Sequence, residues 1–558
     1  MVTQSSLGAF LEHAKVNKCE VSDEIEFRLD PITGIGAFCK KPVQKVDVSL
    51  IRVPIDFTIK KKEAEEYFAI DKFQSSNPNA LTQLYLLALK RDRTSKWTPY
   101  LDILPTFNEI HSPLLWKDQE LNLIRGSDLY TKTKRKLVLL LDEWFNLLTE
   151  LDMCTESVTK FYESQDRNNI SVEESYSIDS FGAYVWASLI FSSRAFPSIL
   201  YDTTAPLNEA FLLPVVDLLN HKPSADVKWK EEAAFITFSS SESLKAEDEL
   251  FNNYGDKSNE ELLLSYGFSY EGNPHDCTSI SLKIDGISIE KARSCGIRLN
   301  HDNIVGDTIR FDIPGNDPLP RELVLFFGFI SKLNSEKDIT VRAVLEGLGQ
   351  LRAIFAQKVA IFKEKLKMLP NAIQNATVKK NTSIYLNSQR KLYQSSEEEV
   401  NKKIKAIIKT YKPISFKSMY KSDTAFANSL LLSMGVSSYE ELARKNVTHH
   451  ALLLWIVKAH NSSFYKGEKP PEFVKAMFEE VKSSIKIDKE DVLEYMSFYK
   501  TFFPALSKSI PEIYNVGSWS ISDFVIAGVV IDRLVWLRET SNEYLIFKKT
   551  KFDMQVFC

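Results

Sequence analysis

The chain has 558 residues, 44% hydrophobic and 26% charged, with 70 basic against 74 acidic side chains and a net charge of −4. That length exceeds the roughly 250–300 residues at which a single core stops growing, so at least two domains are expected. The near-balanced charge argues against a dedicated nucleic-acid binder, which carries a basic surplus. The six cysteines (Cys19, Cys39, Cys154, Cys277, Cys295, Cys558) lie far apart with no C-x-x-C pair, which argues against a zinc ribbon or finger and a disulfide framework, and no metal site is expected, since His221 has no second ligand at metal spacing.

The N-terminus lacks the apolar stretch of a secretory signal. The longest uncharged apolar runs, 183–191 and 524–531, fall short of the ~18–20 residues that span a bilayer. A soluble, reduced, intracellular protein is expected.

In chain order, a short helix is followed by strand-like runs at EIEFRLD (24–30), GIGAFCKK (34–41) and VSLIRVP (48–54), marked by period-two alternation and Gly and Pro punctuation. From Glu63 to about Leu151, LTQLYLLALKR and KRKLVLLLDEWFNLLTEL space apolar residues three and four apart, the signature of helices. A polar stretch, 163–180, precedes a further helix, FGAYVWASLIFSSRAF (181–196). Strand-like runs return at AFLLPVVDL (210–218), DVKWK (226–230), AAFITFSS (233–240) and ELFNNY (249–254). Short strands are then expected at CTSISLKI (277–284), ISIEK (287–291) and DTIRFDIP (307–314), before a helix-rich region that runs from Pro320 to the end.

Four pieces could carry chemistry. Gly34-Ile35-Gly36 lacks the helix that a dinucleotide fingerprint requires, which leaves a tight turn or a close approach of backbone to a small ligand. In LLPVVDLLNHKP (212–223), Asp217 lies in an apolar run and needs a partner if buried. Asn220-His221 follow, either capping a strand or lining a pocket. Arg194 of SSRAF closes an apolar helix, where a cation is favourable in its own right. Finally, YGDKSNEELLLSYGF (254–268) places Tyr254-Gly255 and Tyr266-Gly267 around a short helix. Ser258 and Glu261 form a capping box and Gly267 a C-terminal cap, which leaves the tyrosines to packing or to catalysis.

Taken in order, these pieces resemble a SET-domain methyltransferase of the Rubisco large-subunit lysine methyltransferase branch. The carrying residues are 34–54, SKWTPYLDILP (95–105), PLLWKDQELNLIRG (113–126), SSRAF, LLPVVDLLNH and 254–276. The resemblance implies an α+β protein: a SET-domain β-fold over 1–275 with a helical insert at about 63–180, then a mainly helical substrate-binding domain over 276–558. It implies S-adenosylmethionine as cofactor, held by Gly34, Ile35, Gly36, Arg194, Asn220, His221 and Tyr254. Arg194, Asp217 and Tyr266 would face the substrate, with Tyr266 as the catalytic tyrosine and Tyr254 closing the core near the cofactor.

The activity implied is protein-lysine N-methylation of a ribosomal protein or translation elongation factor 1-alpha. The chain would act as a monomer in the cytoplasm, with the nucleus also open, and without direct contact to nucleic acid or membrane. An idle SET-fold scaffold and a histidine-directed methyltransferase stand as alternatives.

Overall fold

The structure is a computed structural model and describes residues 2–30, 33–44, 47–467 and 469–553. Cys558, and Lys45 and Val46 of the 34–54 run, lie outside the described residues; the other five cysteines are free thiols. The chain divides into two compact units. The first comprises Met1–Ser279, Pro314–Asn316 and Lys358–Leu392, and the second Ile280–Ile313, Asp317–Gln357 and Tyr393–Cys558. Lys358–Leu392, which reads as C-terminal helical sequence, thus groups with the first unit.

The architecture is mixed α+β. In the first unit a four-stranded antiparallel sheet orders Glu20–Val21, Ser49–Pro54, Phe235–Ser240 and Val227–Glu232. A three-stranded sheet orders Ile25–Asp30, Gly34–Cys39 and Glu249–Leu250. Period-two alternation sets its inner face, so that Ile25 and Phe27 are buried while their neighbours Glu26 and Arg28 are less so. The Gly-Ile-Gly segment is strand and not the turn that was one of its readings: Gly34 pairs with Asp30 and Gly36 with Arg28.

The helix Phe181–Arg194 is buried from Phe181 through Phe191, as its all-round apolar sequence requires. Its polar tips are satisfied. Tyr184 donates to Glu143 Oε1 at 2.6 Å and the Trp186 indole to the Pro105 carbonyl at 2.9 Å.

Three runs depart from the sequence reading. In AFLLPVVDL only Ala210–Leu212 is strand; Pro214 has no N–H to continue a ladder, and the chain turns through Val215 (φ 77°, ψ −54°) into a 3-10 turn, Val216–Leu218. That left-handed backbone at a β-branched residue is an outlier, two positions before Asp217. ISIEK belongs to the helix Gly286–Ser294, because Asp285 accepts from Ser288 N–H as its N-cap. In ELFNNY only Glu249–Leu250 is strand, followed by a parallel bridge between Asn252 and His221.

The second unit is mainly helical. Its core gathers Thr448–His460, Glu472–Ser484 and Ile521–Leu534 around Trp455, Phe478 and Phe524. A small sheet orders Ile414–Ser415, Glu543–Ile546 and Val535–Arg538. No helix among the described residues is long and apolar enough to cross a membrane.

Candidate active site

The helix Phe181–Arg194 ends by aiming Arg194 inward. Its Nη1 donates to the Asp217 carbonyl at 2.9 Å and to Asp217 Oδ2 at 3.2 Å. The Asp217 side chain is 0% exposed. Burial raises its pKa, outweighing the opposing pull of Arg194 and of a hydrogen bond from Tyr100. That bond, Tyr100 OH to Oδ2, is 2.7 Å, while Oδ1 is buried with no hydrogen-bond partner among the described residues. Burial works against the Arg194 charge, but Asp217, Tyr100 and Tyr254 overcome it and keep the guanidinium firmly protonated.

Asn220 and His221 follow the 3-10 turn after the extended Leu219. Asn220 Nδ2 donates to Glu249 Oε1 at 2.7 Å and to the Ile35 carbonyl at 3.3 Å, and its own carbonyl accepts from Asn252 N–H at 2.7 Å. Gly36 lies against this pair. A Cβ there would sit 2.8 Å from Glu249 Oε1 and 3.3 Å from Asn220 Nδ2. Partial burial raises the Glu249 pKa.

His221 Nδ1 accepts from Tyr254 N–H at 3.1 Å, so the neutral ring carries its proton on Nε2. Burial holds its pKa below the ordinary value, chiefly offset by a hydrogen bond that the ring donates to the Asn252 backbone.

The two tyrosines meet face to face. Tyr254 stacks on His221 (centroids 4.8 Å, 16°) and Tyr266 on Tyr254 (4.9 Å, 15°), while Phe268 stands edge-on to Tyr266 at 6.2 Å. Tyr254 donates its hydroxyl to the Leu219 carbonyl at 2.7 Å. Tyr266 OH has no hydrogen-bond partner among the described residues, and burial pushes its pKa up to about 12. Both phenols are therefore neutral donors at physiological pH. Such a cluster of aromatic faces attracts an alkylammonium through the ring quadrupoles.

Local sequence sets this geometry. The capping box of Ser258 and Glu261 starts the helix Asn259–Tyr266, and Gly267 ends it at φ 79°. A Cβ on Gly267 would come within 2.9 Å of His111 N, so only glycine lets the turn close against that backbone. Ser112 Oγ donates to the Leu264 carbonyl at 2.5 Å and Ser192 Oγ to that of Ser265 at 3.2 Å.

Tertiary structure thus links Ile35, Gly36, Asn220, His221, Tyr254 and Tyr266, and joins Arg194 to Asp217. Gly34 opens the strand opposite Asp30, and no hydrogen bond joins it to this cluster among the described residues. Three partners escaped the sequence reading. Tyr100 and Glu249 lie within runs already noted, and the signal for Tyr100 was available: a buried phenol needs an acceptor and a buried carboxylate needs a donor. Nothing local points from Ser112 to Leu264, 152 residues away.

Comparison with known proteins follows the same lines. A family model described as the EFM1 middle domain matches residues 277–411. The chain is 36% identical to Protein-lysine N-methyltransferase EFM1 of Saccharomyces cerevisiae, covering 100% of both chains. It is 26% identical to Ribosomal lysine N-methyltransferase 1 of the same yeast, over 83% of this chain and 88% of that one. A structure of Rubisco LSMT bound to AdoMet superposes with a TM-score of 0.53 and 18% identity, over 72% of this chain and 93% of that one. With that fold and that full-length identity, the chain belongs to the SET-domain protein-lysine N-methyltransferases of the Rubisco large-subunit methyltransferase-like class.

Proposed function

We propose that this enzyme transfers a methyl group from S-adenosylmethionine to a lysine of a translation-machinery protein, either a ribosomal protein or translation elongation factor 1-alpha. The observation that carries the chemistry is the His221–Tyr254–Tyr266 stack standing beside the Gly36–Asn220–Glu249 cradle. The full-length likeness to EFM1 and the name of the ribosomal relative support the substrate class.

The residues present suit such a cofactor. The bare Cα of Gly36 leaves backbone open where a side chain would fill the cradle. Asn220 and Glu249 present an amide and a half-buried carboxylate to a zwitterionic ligand, and His221 keeps Nε2–H as a donor. Gly34, Ile35 and Gly36 would offer backbone, and Arg194 a cation for a carboxylate. When bound, S-adenosylmethionine would supply an electrophilic methyl carbon on a sulfonium, from which a neutral amine would displace the thioether in line. The protein's own contribution is then placement at near-attack distance. The aromatic walls exclude water, which lowers the lysine pKa and favours the attacking form.

Tyr266, with its uncommitted hydroxyl, would orient the amine lone pair. Asp217, sealed behind Arg194 and Tyr100, would act on the substrate side by fixing Arg194. A second reading gives the orienting role to Tyr254, because its hydroxyl lies on the Leu219 carbonyl at the approach to Asn220. Slow turnover confined to Tyr254→Phe, with Tyr266→Phe at wild-type rate, would select that reading. The enzyme is taken to work as a monomer in the cytoplasm or nucleus, on protein and without direct contact to nucleic acid or membrane; size-exclusion chromatography and imaging of a tagged chain test this.

The decisive experiment incubates purified protein with labelled S-adenosylmethionine and a cytoplasmic extract, beside an Asn220→Ala control. A labelled band absent from the control is expected, and its mass separates a small ribosomal protein from the elongation factor. Cofactor binding without any labelled band, in an extract from cells lacking this enzyme, would favour the idle scaffold.

A further inference from the structure

The turn carrying Tyr266 and Phe268 is gripped by a residue more than a hundred positions further along the chain. Asn381 lies in the helix Ala376–Tyr411 and is 5% exposed. Its Nδ2 donates to the Gly267 carbonyl at 3.1 Å, and its Oδ1 accepts from Ser269 N–H at 3.3 Å. The two bonds bracket Phe268. The amide orientation is dictated by its partners, since a carbonyl can only accept and an N–H can only donate.

Gly267 is buried and leaves the helix at φ 79°, so its carbonyl points out of the helical ladder. Without Asn381 it would need another donor where water is scarce. The grip itself is anchored. Thr382 Oγ1 donates back to the Val378 carbonyl at 2.7 Å, and Gln389 Nε2 reaches the Cys277 carbonyl at 2.9 Å. At the other end of the helix Asn259–Tyr266, Asp276 accepts from Asn259 N–H and Nδ2, both at 3.0 Å. Asp276 immediately precedes Cys277, so both ends of the tyrosine helix are tied to the 381–389 stretch, one directly and one through Asp276–Cys277. All these residues belong to the first unit.

Resting on the reading of Tyr266 as a wall of the reacting site, we propose that Asn381 is a positioning residue for methyl transfer. Its planar amide sets the Gly267–Ser269 turn, and through it the rings of Tyr266 and Phe268 against Tyr254 and His221. Asn381 acts through the turn. The rate of an in-line transfer falls steeply with misplacement of about 1 Å, whereas cofactor contacts from the Gly36–Asn220 side do not depend on this turn.

The test measures steady-state methylation of the labelled substrate protein together with calorimetric binding of S-adenosylhomocysteine, which also reports the folded fraction. Asn381→Ala is expected to lower kcat about tenfold or more, with KM and cofactor affinity within about threefold of wild type. Asn381→Asp keeps the shape and the acceptor for Ser269 N–H, but turns a carboxylate oxygen toward the Gly267 carbonyl. Burial raises the pKa of that carboxyl, and once protonated it can donate again. The kcat of this variant relative to wild type should therefore climb as pH falls from about 8 to 6, a recovery that mere loss of stability would not produce.

Tyr266→Phe is measured in parallel. Wild-type kcat in both Asn381 variants beside a slow Tyr266→Phe enzyme overturns this proposal and leaves the site reading standing. Full activity of Tyr266→Phe would remove the reading on which it rests.

Discussion

Tyr100→Phe removes one oxygen and tests the buried Arg194–Asp217 pair. The ring contacts with Phe10 (5.7 Å) and Trp97 (6.4 Å) survive the change, so packing is conserved. What is lost is the 2.7 Å bond to Asp217 Oδ2, on a carboxylate whose Oδ1 already has no hydrogen-bond partner among the described residues. Among side chains of the described residues, the 3.2 Å contact from Arg194 Nη1 is then what remains on the carboxyl group. A hydrogen bond to a buried charge contributes about 1.5–3 kcal/mol, or about 10- to 150-fold in a rate constant that depends on the charged pair.

The sign with pH follows. Burial already raises the Asp217 pKa and the Tyr100 bond opposes that rise, so the variant carboxyl protonates at still higher pH. The acid limb of kcat/KM should move upward, with a larger deficit at about pH 6 than at pH 8. The assay is initial-rate methylation across that range, with S-adenosylhomocysteine affinity as a control for folding. A profile superimposable on wild type would refute the idea that Asp217 must be ionised to hold Arg194.

Gly36→Ala places a methyl 2.8 Å from Glu249 Oε1, a flexible side-chain end that can yield. Stability should change by under about 1 kcal/mol while S-adenosylhomocysteine binds about tenfold more weakly by calorimetry; wild-type affinity would remove Gly36 from the cradle. Gly267→Ala meets backbone at 2.9 Å from a left-handed conformation, so neither side can yield. It should cost about 2 kcal/mol or more in urea denaturation and slow turnover, and an unperturbed midpoint would contradict the close approach. His221, held neutral by burial, should titrate by NMR below the ordinary value of 6.5. Its contribution to stability is full above that pH and is lost as pH falls through its depressed folded pKa; a midpoint at or above 6.5 would show the ring to be solvated.

Much of the first unit was readable locally. Alternating Ile25 and Phe27 marked a strand, the Ser258–Glu261 box marked a helix start, and Gly267 marked its end, because each signal is a short-range steric or hydrogen-bonding preference. Local pattern misled where a cap or a missing N–H decided the outcome. The I-S-I alternation after Asp285 became a helix, and the apolar run around Pro214 became a turn.

The sequence by itself determined the residue types of the candidate site and their order along the chain: Arg194, Asp217, Asn220-His221, then two tyrosines backed by glycine. Only the tertiary structure decided that the tyrosine rings stack, that Tyr100 completes the Asp217 pair, that Glu249 faces Asn220, and that Asn381 grips the turn of Tyr266. The division has a physical cause. Capping and strand alternation act over a few residues and leave their mark in adjacent letters. A buried hydrogen bond between residues 117 apart, such as Tyr100 to Asp217, is required by desolvation, and nothing in the neighbouring letters names the partner that will meet it.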